Sequence, residues 1–321
     1  MTDPTAEDAR RLTAEALRAE VTEVRRFTTG LHHFVYEMTL ADGGAVVMRL
    51  TRASERPVMR NAVMLSGQLR PLGAPLPQLL AADVDAPLPW MLLERLPGVD
   101  LGDVVGTLPE ARLRAIARNV ARAQAAAAST RTAGRYGFAG TPEGARYARW
   151  SEVVAADIGR SRDRIATAGL FDPAVADGVE RVRATLADDL DAMPATPFLH
   201  DTTIKNVIVT PDGDFSGIVD VDDLCFGDPR FVAALTEVAL RAHELPADYA
   251  KHLMDAAGWK ADRLSRLYVA VIFLGFMSEH GQRFNDNEPT SSPEARQKLF
   301  AHYEQALRDI WRFWNAASTD L

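Results

Sequence analysis

Three oxygen-bearing side chains stand at spacings that suit a hard cation. Asp201 is followed five residues later by Asn206, and Asp220 lies fourteen residues beyond that. Residues 206–210 are rich in β-branched side chains, residues 211–214 (Pro-Asp-Gly-Asp) carry turn signals, and residues 215–220 again look strand-like. This pattern predicts a hairpin centred near Asp212-Gly213. In such a hairpin Asn206 falls opposite Val219 or Asp220. An amide oxygen and a carboxylate then share the open end of one hairpin, and Asp201 lies in the loop that enters it. Mg2+ takes oxygen ligands of this kind, accepts one or two carboxylates, and fills its remaining positions with phosphate oxygens and water.

The stretch Asp-x-x-x-x-Asn, a hairpin, and a second Asp resembles the catalytic loop and metal aspartate of the protein-kinase-like fold. The finer text, Gly217-Ile218-Val219-Asp220-Val221-Asp222-Asp223 and then Gly227-Asp228-Pro229, resembles the aminoglycoside phosphotransferase family. That family phosphorylates small molecules such as aminoglycosides, choline and homoserine. The resemblance covers most of the chain and is densest over residues 198–240. It implies an α+β, two-lobed protein-kinase-like fold, with a small antiparallel-β N-terminal lobe and a larger, mostly helical C-terminal lobe. It also implies ATP or GTP as donor, Mg2+ as metal, and a small-molecule hydroxyl as acceptor. On this frame Asp201 is the base or orienter of that hydroxyl, and Asn206 and Asp220 hold Mg2+. Asp222 shares the strand face of Asp220 and is a candidate second metal ligand. Asp228 is expected to brace the catalytic loop through backbone hydrogen bonds. There are departures from the family text. Leu199 stands where a histidine usually precedes the catalytic aspartate, so the neighbouring His200 is read as structural. Lys205 either stabilises the transferring phosphate or points to solvent.

The nucleotide side is expected from the first hundred residues. Gly30, in Gly-Leu-His-His-Phe-Val-Tyr, resembles the family's phosphate-covering loop, whose backbone N–H groups can reach phosphate oxygens. Arg49 stands where the fold places its phosphate-binding lysine, and a guanidinium offers a forked donor for phosphate. The usual partner is a glutamate on the following helix. Here the matching residue is Asn61, which can orient a guanidinium but cannot neutralise it, and Glu55 is a possible substitute. Glu94 and Leu96 fall in the connector, whose backbone faces the nucleotide base in this fold. Candidate acceptor contacts in the later helices are Glu237, Glu244, Glu279 and Glu288, with Trp259, Tyr268 and Phe273.

These side chains need elements to carry them. The sequence predicts a helix over residues 6–21, opened by Asp3 and Pro4. A β section follows, with strands at 34–40 and 45–50 around Ala41-Asp42-Gly43-Gly44, a helix over 57–69, and strands at 76–82 and 90–96. Helices then dominate: 108–128, 145–168, 173–193 and most of 231–315, interrupted by the β island at 198–220. The expected division is a lobe over 1–93, a connector over 94–98 and a second lobe over 99–321.

Composition narrows the function classes. The 321 residues carry a formal net charge of −8 and a pI near 5.4. That disfavours a nucleic-acid partner and suits a cationic small substrate. The single cysteine, Cys225, excludes an intrachain disulfide or a cysteine metal cluster. The most apolar run, residues 267–277, is too short to span a bilayer, and a charged start argues against a secretory signal. The expectation is a cytoplasmic enzyme with no membrane partner. Of the 36 basic residues only four are lysine, and none precedes Lys205. Codon bias accounts for the ratio, but any phosphate clamp from the N-terminal lobe must then use arginine. The competing reading is a catalytically silent nucleotide-binding or scaffold protein that kept the fold.

Overall fold

The computed structural model describes residues 3–27, 33–282 and 291–317, the side chains of 311–317 excepted. Helix α1 (Ala6–Leu17) opens at Thr5, not at Asp3. Thr5 Oγ1 accepts from Asp8 N at 3.1 Å, and Asp8 Oδ2 accepts from Thr5 N at 3.0 Å, a reciprocal capping box. Asp3 instead accepts from Arg52 at 2.6 Å. The helix stops four residues short of the predicted end because Arg18 turns left-handed (φ 52°) and the chain enters a strand at Val21.

Strands β1 (Val21–Arg26), β2 (Phe34–Leu40) and β3 (Ala45–Leu50) precede helix α2 (Arg56–Leu69), and β4 (Leu79–Asp83) and β5 (Trp90–Glu94) follow it. They form one antiparallel sheet in the order β1-β2-β3-β5-β4. Strand side chains alternate between faces. Met48 and Leu50 of β3 join Phe34, Tyr36 and Met38 in a core against α1. Arg49, between Met48 and Leu50, therefore faces the other way, and it too is buried.

The chain continues through β6 (Val99–Asp100), α3 (Leu101–Val104), α4 (Glu110–Ala128), β7 (Gly137–Ala139), α5 (Trp150–Ala168), α6 (Val175–Thr185) and α7 (Ala187–Asp191). Residues 173–193 are thus two helices where one was expected. Leu186 leaves helical geometry (φ −106°, ψ 12°), and both it and Leu190 are buried in the core. Strands β8 (Thr196–Phe198), β9 (Val207–Val209), β10 (Phe215–Ile218) and β11 (Leu224–Gly227) carry the site. Helices α8 (Arg230–Ala242), α9 (Asp248–Ala257), α10 (Arg263–Glu279) and α11 (Pro293–Ala317) complete the lobe. Helix α10 is buried nearly all round, as an apolar helix must be, and packs against α5, α8 and α11. Among the described residues no helix is long and apolar enough to cross a membrane.

Two short sheets hold the site in place. β9 is central in β10-β9-β6, and β11 is central in β7-β11-β8 with the fully buried Cys225 on it. The connector approaches the hairpin closely enough to exclude any side chain at Gly98. There φ is +114°, and a Cβ would lie 2.0 Å from the carbonyl oxygen of Val209. On the other edge, Ile218 N donates to Pro75 O at 2.9 Å, tying the hairpin to the N-terminal lobe. The architecture is α+β, a small antiparallel sheet above a larger helical lobe, as the sequence implied.

Candidate active site

The β9–β10 hairpin forms: Val209 pairs with Phe215 near the turn, the register shifts between Phe215 and Gly217, and Ile208 then pairs with Gly217 and Val207 with Ile218, the expected register at the open end. Val219 N donates to Asn206 O at 2.9 Å, so Asn206 stands opposite Val219 at the open end. One residue later Asp220 takes a left-handed backbone (φ 63°). This conformation costs a non-glycine residue about 1–3 kcal/mol and turns its side chain out of the strand line.

Asp201, Asn206 and the loop between them are tightly cross-braced. Asn206 Nδ2 donates to Asp201 O at 3.0 Å, which leaves the Asn206 amide oxygen as an acceptor aimed elsewhere. Thr203 Oγ1 donates to Asp201 Oδ1 at 2.9 Å and orients that carboxylate. Beneath the loop lies a residue that sequence reasoning missed. Gln124 of α4, almost fully buried, donates to Leu199 O at 2.8 Å and Thr202 Oγ1 at 3.0 Å, and accepts from Leu199 N at 3.0 Å. Its only sequence signal was a carboxamide amid alanines on a helix face otherwise destined for the core.

His200 has a structural setting: Nε2 lies 2.6 Å from Asp223 Oδ1, and its ring meets Phe138 edge-on. Burial works against its charged form, but the Asp223 hydrogen bond and charge outweigh it and raise the imidazole above its ordinary value. Asp228 is not the loop brace that was expected. Its carboxylate accepts from the backbone and guanidinium of Arg230 and from the Tyr268 hydroxyl at 2.8 Å, and Tyr268 in turn accepts from Trp150 Nε1. The turn after β11 points this aspartate into the helical core, where a buried carboxylate needs donors, and Arg230 and Tyr268 are the donors at hand.

On the nucleotide side Arg49 reaches across to the hairpin. Its guanidinium pairs with Asp222 Oδ1 and lies 3.3 Å from Asp220 Oδ1. His33 Nε2 is 2.9 Å from the other Asp222 oxygen. One ligand atom each from His33, Asp220 and Asp222 lie within 4.8 Å of one another, a spacing compatible with a cation. Despite its own burial, Asp222 is held well below the usual carboxylate range by Arg49 and His33, whereas Asp220, half exposed, is raised by partial desolvation and by its neighbour Asp222 against the pull of Arg49.

The expected helix partners of Arg49 are elsewhere. Asn61 lies against Gly140, where a Cβ would be 2.1 Å from its Cγ. Glu55 accepts from Thr51 at 2.6 Å. Gly30 falls outside the described residues. Glu94 is exposed and exchanges hydrogen bonds with the backbone of Gln78. Leu96 is buried, its side chain against Gly217 and its carbonyl accepting from Arg95.

The sequence matches the phosphotransferase enzyme family over residues 23–267. The chain belongs to that family. It is a small-molecule phosphotransferase by class. No curated protein compared with it matches in sequence. Among solved structures, a thermostable mutant of aminoglycoside phosphotransferase APH(4)-Ia in its apo form is similar with a TM-score of 0.63 and 18% identity, over 96% of this chain and 99% of that one. A putative fructosamine-3-kinase from Thermobifida fusca YX-ER1 gives 0.63 and 20%, over 95% and 100%. The streptomycin-ATP-APH(2")-IIa ternary complex gives 0.62 and 13%, over 96% and 97%. At these identities the likeness is one of fold.

On the phosphotransferase frame, the acceptor candidates separate by position. Glu237 is tied to Arg241 and Arg266, Glu244 to Lys298, Tyr268 to Asp228. Phe273 is buried and stacks on His302, and Glu288 falls outside the described residues. Trp259 lines a cavity of about 460 Å3 behind α4, with Arg118, Arg122 and Gln124. None of Asp201, Asn206 or Asp220 borders that cavity. Glu279, at the end of α10, lies within electrostatic reach of the loop that carries Asp201 and Lys205. Burial raises its carboxyl, Lys205 and Arg164 lower it, and Asp201 raises it further. Lys205 itself is exposed and also pulls down Asp100 and His243.

Proposed function

We propose that this protein transfers the terminal phosphoryl group of ATP or GTP to a hydroxyl of a small-molecule acceptor. The observation that carries the reading is the convergence of Asp201, Asn206 and Asp220 at the open end of the β9–β10 hairpin. In this reading the lobes divide at a connector over residues 94–98, with 1–93 on the phosphate side and 99–321 on the acceptor side. Asp201, its Oδ1 fixed by Thr203, uses its second oxygen to orient and accept the proton of the attacking hydroxyl.

The donor set fits Mg2+. Asn206 keeps its amide oxygen free while its nitrogen is held by Asp201 O, and Asp220 offers a half-exposed carboxylate, a hard-oxygen pair of the kind Mg2+ takes. Bound there, Mg2+ would neutralise charge on the donor phosphates. Asp222 is the weaker ligand candidate, because both its oxygens are engaged by Arg49 and His33. Arg49 supplies the N-terminal lobe's positive charge to the phosphates, since no lysine is present there. Lys205 and Glu279 flank the acceptor side. A Glu279 carboxylate there suits an acceptor that carries a cationic group, such as an aminoglycoside, ahead of a neutral sugar.

A second reading, nucleotide binding without transfer, is favoured by the displaced Asn61. Incubation with Mg-ATP or Mg-GTP and a panel of aminoglycosides, choline, homoserine and sugars separates the two. Transfer to at least one acceptor, lost by a factor of ~10² or more in Asp201→Asn, is expected. Nucleotide binding with transfer to none of them would favour the silent protein.

A further inference from the structure

In a buried setting a guanidinium needs a counter-ion, because an uncompensated charge away from water is costly. Arg49 is only 5% exposed, yet helix α2, which follows its strand, contains no acidic residue. Asn61 packs against the backbone of Gly140, and Glu55 accepts from Thr51. The carboxylate that Arg49 does meet belongs to the other lobe: Asp222, with Asp220 as a longer second contact at 3.3 Å. His33, 6% exposed, takes the remaining oxygen of Asp222. Asp222 is thereby fixed from two sides by groups of the N-terminal lobe.

From this geometry we infer that Asp222 is the positioning residue for Arg49, replacing from the C-terminal lobe the carboxylate that α2 lacks. The inference rests on the phosphotransferase reading above for its role, but not for the ion pair itself. Asp222 holds the guanidinium by one of its NH2 edges. The buried Nε of Arg49, which has no hydrogen-bond partner, is left as the donor still to be satisfied, by a phosphate oxygen. The Asp220 contact is the one that gives way when that aspartate is called on as a ligand. His33 sets the second oxygen of Asp222 and so the angle at which Arg49 is held. The acceptor of Arg49 thus sits two residues past the metal aspartate, and closing the lobes and placing the clamp become the same event.

The test is a double-mutant cycle on the full chain with Asp222→Asn, Arg49→Met and the pair together, read in two ways. The first is the urea midpoint without nucleotide or metal. Asp222→Asn leaves Arg49 with only the longer Asp220 contact and lowers the midpoint, and the double variant recovers most of that loss. If Asp222→Asn alone does not fold, the double variant must; a double variant as unstable as the sum of its parts overturns the pairing. The second is binding of ADP in EDTA by calorimetry. Asp222→Asn and Arg49→Met each weaken it tenfold or more, and the double variant is no worse than either. Unchanged metal-free binding in Asp222→Asn, with a loss in Mg2+ that excess Mg2+ restores, would make Asp222 a metal ligand and overturn the inference. Absence of binding of both ADP and GDP to the wild type, with Mg2+ present as well as in EDTA, would instead refute the phosphotransferase reading, leaving the stability cycle to decide the pairing.

Discussion

Replacing Gln124 by leucine should damage both stability and turnover, although Gln124 touches no reacting group. Leucine nearly conserves the volume but removes two donated hydrogen bonds and one accepted one. The Leu199 N–H and C=O, at 3.0 and 2.8 Å from the carboxamide, then have no partner in a buried site, and Thr202 Oγ1 loses its donor. A stranded buried polar group costs about 1–3 kcal/mol. Two backbone groups therefore cost about 4 kcal/mol, offset by ~1 kcal/mol from the better burial of leucine. The expected net loss is about 3 kcal/mol, read from urea unfolding as a lower midpoint at unchanged m. Because Leu199 and Thr202 flank the segment that aims Asp201, a shift of the loop by ~1 Å should lower kcat by ~10² with a smaller change in KM for the nucleotide. Gln124→Glu keeps the acceptor for Leu199 N–H, loses the donor and buries a charge, so it should be no better than leucine at neutral pH. A midpoint within ~0.5 kcal/mol of wild type together with unchanged kcat for Gln124→Leu would refute the bracing argument.

Two further outcomes follow from the same contacts. Gly98→Ala must place a Cβ 2.0 Å from the Val209 carbonyl at a φ of +114°; it should cost at least ~3 kcal/mol of stability, measured by urea unfolding, whereas Gly159→Ala, in open space on α5, should be neutral or slightly stabilising. Burial, with Asp103 adding, pushes the Asp100 carboxyl up to about 6 despite Lys205. The folded chain then holds that proton while the unfolded chain has released it, so stability falls as pH rises from about 4 to about 6. Asp100→Asn should remove this component and raise stability at pH 7 by about 1–2 kcal/mol, discounted for partial solvation, which urea midpoints across that range would measure.

What could be read from the sequence was what short-range spacing encodes. The Asp212-Gly213 turn made the hairpin legible, and Asn206 stands opposite Val219, as expected, because an irregularity between Phe215 and Gly217 shifts the pairing by one towards the open end. The β2–β3 hairpin was legible from its turn as well. The partner of Arg49 was not, since it lies 173 residues away and nothing in either local pattern marks it. Asn61 and Asp228 failed likewise. Each sits at the expected place along its element, but which neighbour its side chain finds depends on Gly140 in one case and on Arg230 and Tyr268 in the other. Gln124 was hidden because an alanine-rich helix face reads as core, and one buried carboxamide does not disturb its period. The break at Leu186 was invisible because residues on both sides keep helical propensity, and only the position of the core decides where the helix must step.

Cys225 stands at the centre of β11, between β7 and β8, the strand that leads into the Asp201 loop, with no exposed surface. Burial, with Asp157 and Asp223 adding, pushes its thiol well above the ordinary range. A thiol reagent needs an accessible thiolate, and here it meets one only when the sheet behind the Asp201 loop parts. The one sulfhydryl in the chain is therefore a native clock: its rate of modification reports how often that sheet opens. Because this thiol is fully buried, a cysteine introduced on the surface of each lobe should take up a dye far faster than Cys225, which need not be removed first.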